Sequence, residues 1–335
     1  MTGFSTSPRF VEHLTGPNHP ERPDRIRAIA LAVRNAGLID SPNPFPDFVL
    51  DLQLQPVGGE KLVEIEPDLA EEKWIRLVHT AEHIEKIRRI CAGGGGVLDS
   101  GDTVVCPVSF DIARLSCGAV LKCCDAVVDG PVQRAFAAGR PPGHHAEPQA
   151  PMGFCLFSNI AIAARYLQER HGIGKIAIVD FDVHHGNGTQ AAFEDDETVL
   201  FISLHQHPRT CYPGSGHEWE TGVDHGIGAT LNIPMLPGAG DDEYLAAFHG
   251  KVLPKLDEFR PQFLLISAGF DAHREDPLAK IELSEECFET MTRLLVQSAN
   301  VHGGGRVVSS LEGGYNLRAL GRSVVAHLKE MNNDG

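Results

Sequence analysis

The sequence contains no apolar run of about 18 residues, the length a helix needs to cross a bilayer, so no membrane span is expected. Met1 to Phe10 has no basic patch followed by an apolar stretch, and a secretory signal is not expected either. Lysine and arginine form no cluster, and the formal net charge is −16. That field repels a phosphate backbone, which argues against direct nucleic-acid binding. It favours cationic partners such as lysine-rich tails and amines. The eight cysteines make no CxxC pair and no zinc-finger spacing. Cys117, Cys123 and Cys124 fall in an apolar helical stretch and read as buried thiols. A reducing, cytoplasmic compartment suits that usage. Internal repeats and low-complexity linkers are also missing. Gly93–Gly96 and the prolines from Pro42 to Pro46 are loop punctuation too short to divide domains. The 335 residues, 42% of them hydrophobic, are therefore read as a single domain, 1–335, with a substantial core.

What the second half does contain is a regular alternation. Short β-rich apolar runs occur at Arg134–Ala138, Lys175–Asp180, Val199–Leu204, Phe263–Ala268 and Arg306–Leu311. Helical patterns lie between most of them, at Ser158–His171, Asp241–Phe259, Ser284–His302 and Leu317–Met331. The rhythm is βαβ and predicts an α/β fold, a parallel sheet with helices on both faces. Reactive residues follow the strands. His144 and His145 come after the first run, and Asp180, Asp182, His184 and His185 after the second. Ser203 and His205 end the third, Asp271 and His273 follow the fourth, and Tyr315 the fifth. Sites in open α/β sheets form outside the carboxyl ends of the strands, so five strand ends would deliver chemistry to one edge.

In the segment Val179 to Asn187, an extended chain puts Asp180, Asp182 and His184 on one face. Mixed oxygen and nitrogen ligands suit zinc, and a catalytic zinc takes three protein ligands plus water. Asp182 and His184 supply two ligands, and Asp271, in Ala268 to His273, supplies the third from another strand end. The tandem His144-His145 follows the rigid Arg140-Pro-Pro-Gly143 and points to proton transfer near neutral pH. Asp180 and Asn187 are the available orienting partners. Tyr315 follows two glycines, which allow close backbone approach, and its hydroxyl is placed to donate to a developing oxyanion.

Taken together, these motifs resemble the zinc-dependent histone deacetylase family, in its class II and bacterial branch. The matching segments are His19-Pro-Glu-Arg-Pro-Asp-Arg-Ile26, Arg140–His145, Gly153-Phe-Cys155, Val179–Gln190, Ser267–His273 and Leu311-Glu-Gly-Gly-Tyr315. The resemblance implies the arginase/deacetylase fold with a central eight-stranded parallel sheet. It implies zinc on Asp182, His184 and Asp271, with Asp180 paired to His144 and Asn187 behind His145. A neutral asparagine should hold His145 at a lower pKa than an aspartate would. Tyr315 stands where some class II members carry histidine, so deacetylase activity is expected. The acyl-lysine tunnel would have Gly153 at its floor and Phe154 and Tyr212 as its walls. Structural potassium is also implied. One ion would sit at Asp180, Asp182, His184, Ser203 and Leu204, partly on backbone carbonyls, and a second near Phe193, Asp196 and Val199. The family allows homo-oligomers.

Three other readings make distinct demands. A two-manganese ureohydrolase of the same fold needs a second aspartate where this chain has Gly186, and another where it has His273. A polyamine deacetylase uses an acidic gatekeeper in the segment matching Asp276-Pro-Leu278, and Leu278 is apolar. A non-catalytic binding module has no use for intact ligands, paired histidines and Tyr315.

Overall fold

The five apolar runs are strands in the computed structural model, which describes residues 1–99 and 101–333. In chain order the strands are β1 (Thr2–Ser5), β2 (Val63–Ile65), β3 (Gly96–Val97), β4 (Val104–Val105), β5 (Arg134–Ala137), β6 (Ile176–Asp180), β7 (Val199–Gln206), β8 (Thr230–Met235), β9 (Phe263–Ala268) and β10 (Val307–Leu311). Eight of them form one parallel sheet in the order β2-β1-β5-β10-β9-β6-β7-β8. β3 and β4 pair as a small antiparallel hairpin. The sheet, flanked by helices, makes a single α/β domain. Strands β5, β6, β9 and β10 are buried at every residue, which is why they read as continuous apolar runs. β1 and β2 are too short to carry a pattern, and β8 includes Pro234. That strand lies on the sheet edge, where a proline's missing N–H costs no ladder bond.

Side chains cap some of the helices at their starts. Ser284 Oγ accepts the Cys287 N–H ahead of Glu285–His302, and Asn316 Oδ1 accepts the Arg318 and Ala319 N–H groups ahead of Leu317–Met331. The helical run expected over Asp241–Phe259 divides into Asp241–Ala247, a π turn at Phe248–Val252 and Leu253–Phe259. Pro254, which lacks an N–H, falls at the start of the last piece. Cys117, Cys123 and Cys124 are buried in the helix Ser109–Val128, and all eight cysteines are free thiols. Among the described residues, no helix is long and apolar enough to cross a membrane.

Topology positions the site. β5 and β6 are successive strands in the sheet, yet β10 and β9 lie between them. From β6 the chain moves outward through β7 to β8, while β1 and β2 flank β5 on the other side. The two strands added last therefore occupy the middle, and the loops leaving β5, β10, β9 and β6 crowd together at their carboxyl ends.

Candidate active site

β6 ends at Asp180, but the alternation continues beyond it. Phe181 and Val183 stay in the core, so Asp182 and His184 turn the opposite way. Asp271 arrives from the loop after β9, and the ligand atoms of Asp182, His184 and Asp271 lie within 4.8 Å of one another. His184 Nδ1 is 3.1 Å from Asp182 Oδ1 and 3.2 Å from Asp271 Oδ2. The remaining oxygen of each carboxylate is held by backbone. Asp182 Oδ2 accepts the Gly313 N–H at 2.8 Å, and Asp271 Oδ1 accepts the Val183 N–H at 3.0 Å. A Cβ at Gly313 or Gly269 would run into these carboxylates, so only glycine permits the approach. Two buried carboxylates converge on one imidazole nitrogen. Among the described residues no lysine or arginine pairs with either. That donor set fits a divalent cation such as zinc.

Among the described residues, no second group of metal ligands stands beside it. At Gly186 the space for a side chain is taken by the Asp180 carboxylate, Phe201 and the His144 ring. His273 is turned away, with Nε2 3.2 Å from Glu285 and Nδ1 accepting the Glu275 N–H at 3.0 Å.

The loop after β5 brings in the histidine pair, whose rings lie 4.0 Å apart. His144 Nδ1 donates to Asp180 Oδ2 at 2.9 Å, and His145 Nδ1 to Asn187 Oδ1 at 2.7 Å. Both rings are buried, which disfavours charge on either. At His144 the carboxylates of Asp182 and Asp180 outweigh burial and push the imidazole up to about 10. At His145 burial dominates, and the neighbouring His144 and His184 add to it, so the ring is held well below the usual histidine range. The two adjacent histidines are thus shifted in opposite directions. Glu312 supports their loop: its Oε2 accepts the N–H groups of Gly143 at 2.7 Å and His144 at 3.1 Å.

A cavity of about 260 Å³ opens onto this cluster, lined by Pro20, Asp102, His145, Gly153, Phe154, His184, Tyr212, Leu278 and Tyr315. Gly153 has φ +56, and a Cβ there would strike the His145 ring. Phe154 follows at φ +68, a left-handed conformation that costs a bulky residue about 1–3 kcal/mol. The Thr103 hydroxyl helps hold it, accepting the Phe154 N–H at 3.1 Å. Phe154 meets the Tyr315 ring edge-on at 5.9 Å, and Tyr212 meets His145 edge-on at 5.1 Å. The expected walls Phe154 and Tyr212, the floor Gly153, Leu278 and Tyr315 therefore share one cavity with His145 and His184. Arg25 sits over the Tyr315 ring at 5.0 Å and donates to the Gly314 carbonyl at 2.7 Å.

The residues assigned to cation sites are more dispersed. Asp180 pairs in register with Ser203 across β6 and β7, next to Leu204. Ser203 Oγ is 2.8 Å from His205 Nδ1. Asp196 already pairs with Arg165 at 2.5 Å, and Arg165 lies over the Phe193 ring, close to Val199 at the start of β7. Sequence reasoning passes over Asp102, Thr103, Glu147, Asp276 and Glu312. Asp102 lines the cavity, the other four act through backbone or through another side chain, and none sits in a pattern that marks its role. An acid inside the apolar Leu311–Tyr315 run was the one visible signal, at Glu312.

Parallel strand ends, a buried carboxylate–imidazole cluster and an aromatic-walled cavity together make up the candidate site of this α/β domain. The family model described as "Histone deacetylase domain" matches residues 19–331, and the chain belongs to that family of deacetylases and amidohydrolases. The chain is 45% identical to a histone deacetylase-like amidohydrolase of Pseudomonas aeruginosa, over 74% of this chain and 65% of that protein. It is 42% identical to a probable deacetylase of Methanothermobacter thermautotrophicus, over 98% of this chain and 90% of the relative. It is 37% identical to histone deacetylase clr3 of Schizosaccharomyces pombe, covering 97% of this chain but only 47% of that protein. Among solved structures, the HDA15 HD domain superposes with a TM-score of 0.88 at 37% identity, over 99% of this chain and 89% of that one.

Proposed function

We propose that this chain is a zinc-dependent deacylase that hydrolyses the amide of an acylated lysine side chain or a related acylated amine. One observation carries the reading: the Asp182–His184–Asp271 cluster reaches, through His184, the same aromatic-walled cavity that His145 and Tyr315 line. Asp182, His184 and Asp271 would hold zinc, which when bound supplies Lewis acidity to an amide carbonyl and to water.

The chain's own residues account for the remaining work. Phe154 and Tyr212 offer apolar faces to a lysine stem, and Leu278 keeps the lining free of charge at that point. His145, neutral with its Nδ1 proton committed to Asn187, has Nε2 free to take a proton from attacking water. The same proton then leaves on the amine. His144 is bound to Asp180, and its protonated form would add positive charge beside the reacting carbonyl. The Tyr315 hydroxyl donates to the oxyanion. The reading extends to structural potassium at Asp180, Ser203 and Leu204 and near Phe193, Asp196 and Val199, to one catalytic domain over residues 1–335, and to a cytoplasmic enzyme able to form homo-oligomers. Acyl-lysine is favoured over acylpolyamine because apolar Leu278 stands in the segment where the acidic gatekeeper is expected, which leaves Asp102 as the carboxylate lining the cavity.

The test is hydrolysis of a fluorogenic acetyl-lysine amide by zinc-loaded protein, with and without chelator. Turnover that the chelator removes is expected. Failure to turn over acetyl, trifluoroacetyl and longer acyl substrates alike would overturn the proposal.

A further inference from the structure

Asn187 has an ambiguous side chain by nature. Its amide carries an acceptor at one end and a two-proton donor at the other, and a half-turn exchanges them. The choice matters because His145 reads it. With Oδ1 toward the ring, His145 must carry its proton on Nδ1, leaving Nε2 bare. With Nδ2 toward the ring, the proton moves to Nε2 and no base faces the cavity.

Glu147 breaks the tie. Its Oε1 lies 2.8 Å from Asn187 Nδ2. A carboxylate only accepts, so the amide must present its N–H₂ to Glu147 and its oxygen to His145. The Met152 sulfur, 3.2 Å from the same Nδ2, and the His145 carbonyl, at a longer 3.4 Å, are weaker acceptors on that side. A flipped amide would set its oxygen against all three. Glu147 is itself fixed. Its backbone N–H donates to the Ala150 carbonyl at 2.9 Å, the Ala150 N–H returns at 3.3 Å, and its carbonyl lies 3.1 Å from His79 Nδ1. The carboxylate is thus delivered by a tight turn on an anchored backbone.

We infer that Glu147 is a positioning residue which, through the orientation of the Asn187 amide, sets the tautomer of His145. The chain Glu147–Asn187–His145 does with a neutral central member what an aspartate behind the histidine would do directly. An aspartate presents oxygen from either end and needs no such guide. This inference rests on His145 acting as the base, but the tautomer can be read without turnover.

The experiment has two readouts, the histidine ¹⁵N chemical shifts that distinguish Nδ1–H from Nε2–H, and kcat with KM on the acetyl-lysine amide. Glu147→Gln can still present an oxygen to Asn187, so it should keep the Nδ1–H tautomer and most of kcat. Glu147→Lys presents a donor and pulls the amide round. His145 should then shift toward Nε2–H, and kcat should fall about tenfold or more with KM little changed. Adding Asn187→Asp to Glu147→Lys should recover the Nδ1–H tautomer and most of the lost kcat. A Glu147→Lys protein with the parental tautomer and rate would overturn the inference. So would a double variant that regains neither. If no variant turns over substrate while the tautomer shifts as stated, the inference stands and the proposed reaction falls.

Discussion

The Asp276 carboxylate accepts the backbone N–H of Tyr315 at 2.6 Å. The same oxygen takes the Asn316 N–H at 3.2 Å, and the other takes the Leu278 N–H at 3.1 Å. One side chain therefore ties two cavity-lining residues, Tyr315 and Leu278, into a fixed relation. Asp276→Ala should release the Tyr315 loop and lower kcat about tenfold to a hundredfold, the usual scale for a misplacement near 1 Å. Asp276→Asn keeps an acceptor oxygen and should lose less. Equal and small effects in steady-state assays would show that Tyr315 is held by other contacts.

Removing the Tyr315 hydroxyl tests its donor role directly. Tyr315→Phe keeps the ring packed against Phe154 and Arg25. It should lower kcat by about one to three orders of magnitude, with little change in KM. A rate near that of the parent would take Tyr315 out of the reaction.

Metal stoichiometry follows from the single buried cluster. Dialysis against a chelator should abolish turnover, and titration with zinc should restore it at one catalytic ion per chain. Asp271→Asn should weaken zinc retention by several orders of magnitude, since it removes an anionic ligand. A requirement for two catalytic ions would contradict the filled space at Gly186 and the outward His273.

Leu278 sets the polarity of the cavity lining at its position. It is 39% exposed, so a carboxylate placed there stays solvated. Leu278→Glu should raise kcat/KM for an acetylated diamine relative to acetyl-lysine by roughly fivefold, equivalent to about 1 kcal/mol for a half-exposed ion pair. An unchanged ratio would move substrate choice elsewhere in the cavity.

Stability should fall as pH drops below neutrality. Burial, with the Arg140 charge added, lowers His13 to about 3. Burial with His83 lowers His79 to about 3, and burial alone does so for His327. Unfolded, each titrates near 6.5. From there down to about 3 each of these three sites binds more protons in the unfolded chain, which weakens folding as pH falls; burial raises Asp276 and Glu312 to about 7, so those two oppose the loss between pH 7 and about 4. Each group contributes up to about 1.4 kcal/mol per pH unit in that window. Glu21 adds a later loss. Burial opposes its charge, but Arg140 and Arg25 outweigh that and hold it at about 2, so its contribution disappears from about pH 4.5 downward. A urea midpoint that stays constant between pH 7 and 5 would contradict the assignment.

Much of this was legible in the chain itself. Asp182, His184 and Asp271 stand at strand ends, and strand ends are visible because buried parallel strands read as unbroken apolar runs. His144, His145 and Tyr315 were legible for the same reason. β1 and β2 were not, since four and three residues give periodicity nothing to act on. Asp276 and Glu312 work by accepting backbone N–H groups, and Glu147 by accepting from an amide side chain. An acceptor's role depends on which donors the fold brings to it, and no spacing rule encodes that.

The place of β9 and β10 in the middle of the sheet also sets an order of assembly. Asp271 follows β9 and Tyr315 follows β10, so both are synthesised after β5 to β8. Until both strands are made, β5 and β6 lack the neighbours that separate them in the sheet. A chain ending before β9 would lack Asp271 and Tyr315, and with them the proposed third ligand and oxyanion donor, so it should carry part of the motif set without turnover.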